Sequence, residues 1–194
     1  MKNIILEELL SRVFADGAEK SDALIEKFGS LIGVLEADAD SLSEALSGDF
    51  RAAVYIKLCC AVASRRGRDA FKLGRRHTEE EICEFLKHLF FGLSDETVYL
   101  LSLDGEGKVL ACDRVGEGTV NISNVLPRKI LDVARKRGAK RVVLAHNHPG
   151  GYARASDDDT SATSILGALL ISSGIELSAH YVIAGAECAR VEGV

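Results

Sequence analysis

The chain has no tryptophan, one methionine and two prolines, Pro127 and Pro149, and none of its cysteines falls in a C-x-x-C pair. Cys59, Cys60, Cys83, Cys112 and Cys188 form an odd set at irregular spacing. That usage speaks against a cysteine zinc site and a disulfide framework, so the expectation is reduced thiols in a cytoplasmic compartment. Positive charge is not in excess either. A net charge of -5 excludes a uniformly basic nucleic-acid binder and leaves only local basic patches. Long apolar runs are missing too. "MKNIILEELLSRVF" places only Ile4, Ile5 and Leu6 before Glu7 and Glu8, too short a run for a signal peptide. No stretch approaches the roughly 20 apolar residues of a membrane span.

What is present is enough apolar material for a core: 47% of 194 residues are hydrophobic, a length that suits one large domain or two small ones. From residue 3 to about 63 the pattern is helical, with Ile5, Leu6, Leu9, Leu10 and Val13 at i, i+3, i+4 spacing. After the break "ADGAEKSD", Ser21 or Asp22 is the expected cap of a helix over "ALIEKFG", closed by Gly29. Shorter helices follow in "SLIGVLEA" and "DADSLSEALS", then a longer one in "RAAVYIKLCCAVASR". The next stretch, 64–77, sets Arg65, Arg66, Arg68, Lys72, Arg75 and Arg76 against the single acid Asp69. Its glycine-punctuated basic character reads as a linker over 67–77, or as a phosphate contact.

From residue 78 the pattern turns to mixed α/β. "TEEEICEFLKHLF" is an amphipathic helix with Thr78 and Glu81 as a capping box. "ETVYLLSLD" and "KVLACDRV" are β-rich and flank the turn "GEG", which predicts a hairpin. A helix over "LPRKILDVARKRGA" precedes "KRVVLAH", a β-branched strand expected to be buried on both faces. A helix over "SDDDTSATSILGALLISSG" and a strand over "IELSAHYVIAG" complete the series.

The chemistry concentrates in "AHNHPGGYARASDDD". Alternate residues of a strand share a face, so His146 and His148 present two imidazoles to one side where a buried strand meets a loop. Glycines at 150 and 151 let the chain turn back, and Ser156 caps the next helix, placing Asp159 in its first turn. Two imidazoles, a carboxylate and a water make an open, catalytic type of zinc site. The same residues also read as a plain capping box with acids at the helix dipole, and spacing alone leaves both open. Asp157 and Asp158 read as surface acids. A hydrolytic centre also needs a base. Glu96, at the start of "ETVYLLSLD", competes for that role with Glu106 and Glu117, which lie in glycine turns. His77 and His88 have no motif around them.

Taken together, His146-x-His148-Pro149 followed by Ser156 and Asp159 resembles the motif of the JAMM (MPN-type) metallohydrolases. "AHNHPGG", "GEGTVNISNVLPRKI" and "GIELSAHYVIAG" resemble one branch of it, the bacterial RadC family, over roughly residues 78–194. The helical part over 1–66 more weakly resembles the helix-hairpin-helix domain that precedes it there. The resemblance implies an α+β architecture, with a helical N-terminal domain followed by a mixed sheet of the JAMM, cytidine deaminase-like kind flanked by helices. It implies one Zn2+ per chain held by His146, His148 and Asp159, with Glu96 as general acid/base and Ser156 bonding the water or the oxyanion. Related enzymes cleave peptide or isopeptide bonds, so a protein or peptide substrate is implied. The family's DNA-repair association comes without a settled activity, and no substrate transfers from it.

This chain departs from the pattern in places. Gly150 stands where serine is frequent, and "YARA" replaces a proline-rich turn. In the N-terminal part Gly48-Asp49-Phe50 stands where DNA-binding hairpins carry G-x-G, so Phe50 crowds the turn and Asp49 repels phosphate. His180 matches a family histidine and reads as a packing residue or one behind a ligand. The alternative function is a nucleic-acid-binding module using 64–77 and Arg135, Lys136, Arg137, Lys140 and Arg141, with the metal fold as scaffold. A non-catalytic interaction domain of the same fold ranks behind both, because this chain keeps the ligand residues.

Overall fold

A computed structural model describes residues 3–118 and 126–192. They divide into two compact units, one up to Arg66 and the other from Gly67. Much of the sequence stretch 116–130 that carries part of the family resemblance, namely 119–125, lies outside the described residues.

The first unit is built from α1 (Ile4–Ser11), α2 (Gly17–Phe28), α3 (Leu31–Glu36), α4 (Ala39–Ala45) and the start of α5 (Phe50–Ala70). Leu6, Leu10, Leu24, Val34, Leu42 and Ile56 are fully buried in it. The expected apolar stripe of α1 is narrower than its spacing predicts, since Ile5 and Val13 face solvent. The second helix begins at Gly17, before Ser21 or Asp22. A Cβ on Gly17 would lie 2.3 Å from the backbone nitrogen of Ser11, so glycine alone allows α1 and α2 to meet there, and Ser21 turns inward instead of capping. Asp49 caps α5 by accepting the N–H of Ala52 at 3.2 Å and pairs with Lys20 at 3.0 Å.

In the second unit α6 (Glu79–Phe90) opens with the expected box, Thr78 accepting from Glu81 and Glu81 from Thr78. Then come β1 (Thr97–Leu103), β2 (Val109–Glu117), α7 (Leu126–Lys136), β3 (Arg141–Asn147), α8 (Asp157–Ser172), β4 (Glu176–Ala184) and β5 (Glu187–Arg190). The strands form one mixed sheet in the order β2-β1-β3-β4-β5. β1 pairs antiparallel with both β2 and β3, while β3 and β4 are parallel and joined through α8. The sheet carries a core on each face. Val98, Leu100, Val142 and Leu144 pack with Ile130, Leu166 and Leu170 of α7 and α8. Leu101, Val143, Ala145, Tyr181 and Ile183 pack with Phe85 and Leu86 of α6. β3, covered on both sides, therefore reads as a continuous apolar run.

Two features of this unit differ from the sequence expectation. The basic stretch is not featureless: α5 continues to Ala70, Gly74 donates to the Val109 carbonyl and Val109 donates to that of Arg75. Phe71 is stacked between His77 and Phe85, at centroid distances of 3.9 and 4.0 Å. Second, Cys83 and Cys188 form a disulfide between α6 and β5, where the sequence reading expects every thiol reduced. The pairing was invisible because 105 residues separate the two cysteines and β5 itself gave no clear strand pattern.

Candidate metal centre

At the carboxyl end of β3 the ladder runs one residue beyond the strand, His148 N–H donating to the Ile183 carbonyl at 2.9 Å. This keeps His146 and His148 on one side of the chain, and their Nε2 atoms stand 2.9 Å apart. His146 is 1% exposed, whereas the His148 side chain is half-buried. Gly150 then reverses the chain at φ +67°, a left-handed conformation that strains any side-chain-bearing residue, so serine would fit this turn poorly. Ser156 caps α8 and brings Asp159 back over the histidines. Its carboxylate lies 3.2 Å from His146 Nε2 through Oδ1 and 3.5 Å from His148 Nε2 through Oδ2. The capping box and the convergence coexist. Ser156 donates to Asp159 Oδ2 through both its N–H (2.8 Å) and its O–H (2.6 Å) and accepts the Asp159 N–H at 3.1 Å. Asp157 and Asp158 face solvent.

Glu96 enters from the neighbouring strand. Val98 pairs with His146, so the residues just before β1 lie beside the end of β3. Glu96, His146 and His148 each bring one ligand-type atom within 4.8 Å of the others, a group able to hold a metal ion. What aims Glu96 is a residue the sequence reading passed over. Asn147, 4% exposed between the two histidines, accepts the Thr97 N–H at 2.7 Å and donates to the Asp95 carbonyl at 3.2 Å. Its amide thus grips the chain on both sides of Glu96. The signal was there in principle: a lone asparagine that ends a buried strand must find partners for its amide. Glu106 and Glu117, the competing glutamates, pair instead with Lys108 and Arg114.

Behind His146 stands a second buried imidazole. His146 Nδ1 is 2.8 Å from His180 Nε2, and His180 Nδ1 is 2.6 Å from Thr163 Oγ1. Burial, and then the neighbouring His146, pushes the His180 pKa down to about 3. For Asp159, burial favours the neutral acid, but the hydrogen bonds of His146 and Ser156 outweigh it. Its carboxyl is held well below the usual carboxylate range.

The donor set suits a divalent cation. A carboxylate carries no hydrogen, and His148 Nδ1 lies 3.2 Å from the Tyr152 carbonyl, which can only accept. His148 Nδ1 therefore donates there, and its Nε2 faces the Asp159 carboxylate at 3.5 Å. Two imidazoles and a carboxylate, with His148 half-buried, are ligand types that can hold a divalent ion.

The residues named for the nucleic-acid alternative are partly committed elsewhere. Arg137 holds Asp113 through two hydrogen bonds, Arg135 reaches Ser173, and Arg141 contacts Glu176 and the Gly105 carbonyl. His77 is likewise occupied, by the Lys72 carbonyl and Glu81. Among the described residues no helix is long and apolar enough to cross a membrane.

Comparison with known proteins matches residues 76–192 to the family model described as the RadC-like JAB domain. A UPF0758 protein from Nitrosococcus oceani is 30% identical over 165 residues, covering 84% of this chain and 74% of the relative. One from Geotalea uraniireducens is 29% identical over 188 residues, covering 91% of this chain and 81% of the relative. A third, from Clostridium perfringens, is 28% identical over 183 residues, with 91% and 81% covered.

Proposed function

The chain belongs to the RadC family, and from that premise we propose that it is a zinc-dependent hydrolase cleaving a peptide or isopeptide bond. The observation that carries this reading is the convergence of His146, His148 and Asp159 beside Glu96. His146 and His148 would hold the ion through Nε2, and Asp159 through its carboxylate. When bound, the ion would polarise a carbonyl and lower the pKa of a water to about 7. Glu96 takes the proton from the attacking water and returns it to the leaving amine, a task that needs direct reach or one intervening water. Asn147 keeps its carboxylate aimed. Ser156 holds Asp159 in place, and its hydroxyl would have to release that carboxylate to donate to a developing oxyanion.

The test is metal analysis followed by cleavage of a fluorogenic peptide library. Purified protein is expected to carry close to one zinc per chain, His146→Ala/His148→Ala to lose it, and Glu96→Gln to keep it. Cleavage should fall about 100- to 10,000-fold in Glu96→Gln. Metal content unchanged in the double histidine variant would sink the site. The nucleic-acid reading has less beneath it, because Arg135, Arg137 and Arg141 are engaged within the fold. It calls for DNA retention in filter binding that weakens steeply with salt.

A further inference from the structure

Cys188 of β5 lies opposite Ile183 of β4, and the Ile183 carbonyl accepts the His148 N–H at 2.9 Å. The disulfide from Cys83 therefore pins the sheet edge at the register position that holds one of the candidate ligands. We propose that the Cys83–Cys188 bond is a reversible redox clamp, opened and closed by exchange with a dithiol, that sets how firmly β4 holds His148 and thereby the metal affinity of the centre. The proposal rests on the metal-site reading above for what the clamp controls, not for the clamp itself. β5 is four residues long and lies at the edge of the sheet, so its ladder runs to β4 alone. Such a strand opens locally unless something else ties it down. It pairs with Tyr181 to Ala184, and three of those residues also pair with β3 from Ala145 to Asn147. Just beyond it, Val191 donates to the His180 carbonyl at 2.8 Å. α6 keeps its own hold on the sheet through Phe85, Leu86 and the Tyr181–Glu79 hydrogen bond. Opening the disulfide thus loosens β5 and spares α6.

Both cysteines are half-buried, within reach of a dithiol at the surface. One thiolate of the dithiol attacks a sulfur of the pair, the S–S bond breaks, and the released cysteine takes up a proton. The second thiol displaces the other cysteine. The dithiol leaves as a disulfide, and the pair has gained two electrons and two protons. The two Cα atoms stand 5.9 Å apart, an ordinary span for a disulfide, so the thiols meet again without movement of α6. Cys112 does not compete, since it lies on β2 at the opposite edge of the sheet and burial pushes its thiol up to about 12. Cys59, Cys60 and Cys112 are all free. One bond among mostly free thiols fits the transient, redox-responsive kind better than a disulfide scaffold.

The full chain, stripped of metal, is treated with glutathione disulfide or with dithiothreitol, and its free thiols are trapped and counted by mass. The pair should close and open in the folded protein, with no loss of circular dichroism. Reduced protein should melt about 10 °C lower, given the 105 residues between the cysteines. Its His148 and Val191 amides should exchange hydrogen about tenfold faster. After the reagents are removed under nitrogen, zinc affinity is read by competition with a chromophoric chelator. It should be about three- to tenfold weaker in the reduced form. Cys188→Ser should match the reduced protein under either reagent, and Cys112→Ser should respond as wild type does. A pair that stays reduced in glutathione disulfide, or opens only on unfolding, would overturn the clamp. Equal His148 exchange, or equal and measurable zinc affinity, in the two forms would do the same. Were Cys188→Ser not to fold, the two states of the wild-type chain still decide. Zinc bound by neither form, with His148 exchange responding as stated, would count against the metal centre alone.

Discussion

The helices α6 and α8 start with the same device and put it to different uses. Thr78 and Glu81 exchange side-chain and backbone hydrogen bonds at 3.1 and 3.3 Å, and Ser156 and Asp159 do so at 2.8 and 3.1 Å. In both, an imidazole reaches the acid: His77 Nδ1 at 3.1 Å from Glu81, His146 Nε2 at 3.2 Å from Asp159. There the likeness ends. The Glu81 side chain is 57% exposed and that of Asp159 only 6%. His77 also spends its other nitrogen on the Lys72 carbonyl and stacks on Phe71, so it serves a local wrap at the foot of α6. Asp159 instead faces two histidines from β3 and shares the site with Glu96. A capping box is a structural commonplace; burial and convergence from other strands turn one copy into a candidate metal centre.

The sharpest way to break the comparison is to neutralise each acid. Asp159→Asn removes a ligand and is expected to lower zinc affinity by at least about a hundredfold, more than loss of a supporting residue costs. Glu81→Gln should leave affinity within experimental error, because the Glu81 side chain is itself exposed and lies outside the group of Glu96, His146 and His148. Chelator competition on both variants decides it, and equal effects would mean that the two boxes are interchangeable.

Asn147 tests what α8 has and α6 lacks, a strand segment clamped beside the box. Asn147→Ala leaves the Thr97 N–H and the Asp95 carbonyl without their amide partner. Leaving such groups unpaired costs on the order of 2 kcal/mol in total. The expected outcome in urea unfolding is a loss of that size, with zinc retained and cleavage reduced because Glu96 is no longer held. Cleavage equal to wild type would remove Asn147 from the site.

Sharpening comes from the caps themselves. Thr78→Ala and Ser156→Ala should each lose about 1 kcal/mol of stability, the ordinary cost of a missing N-cap. Ser156→Ala alone should also weaken zinc, since its hydroxyl orients the Asp159 carboxylate. An unchanged zinc affinity in Ser156→Ala would reduce Ser156 to a cap like Thr78.

Both boxes were legible in the sequence because each is a matter of three-residue spacing. The strand–turn–helix carrying His146, His148 and Asp159 was legible for the same reason, being one continuous stretch. What the sequence could not show depends on which strands lie side by side. Asn147 gains its meaning only when β1 pairs with β3, and His180 only when β4 lies parallel to β3 with Leu144 opposite it. The Cys83–Cys188 bond likewise needs α6 to cross the sheet at the short edge strand β5. At Gly17 propensity lost to a backbone contact, since the approach to Ser11 moved the start of α2 ahead of the expected caps.

The smallest effect concerns how the α6 box is moored to the sheet. Tyr181 on β4 donates its phenolic hydrogen to Glu79 in the first turn of α6, at 2.8 Å. Burial, followed by that bond to Glu79, pushes the Tyr181 pKa from 10 up to about 12. Between those values the unfolded chain loses the proton first, so the folded state binds more protons there and stability must fall as pH rises. Below pH 10 the tyrosine contributes no such slope. Tyr181→Phe is expected to lose about 1 kcal/mol at neutral pH, the worth of one hydrogen bond. It should also show a shallower decline than wild type between pH 10 and pH 12. Zinc affinity should not move, because the bond serves α6 and not α8. Parallel alkaline slopes in the two proteins would mean that the hydroxyl is not held by Glu79, and a shift in zinc affinity would mean that the two helix starts are coupled through β4.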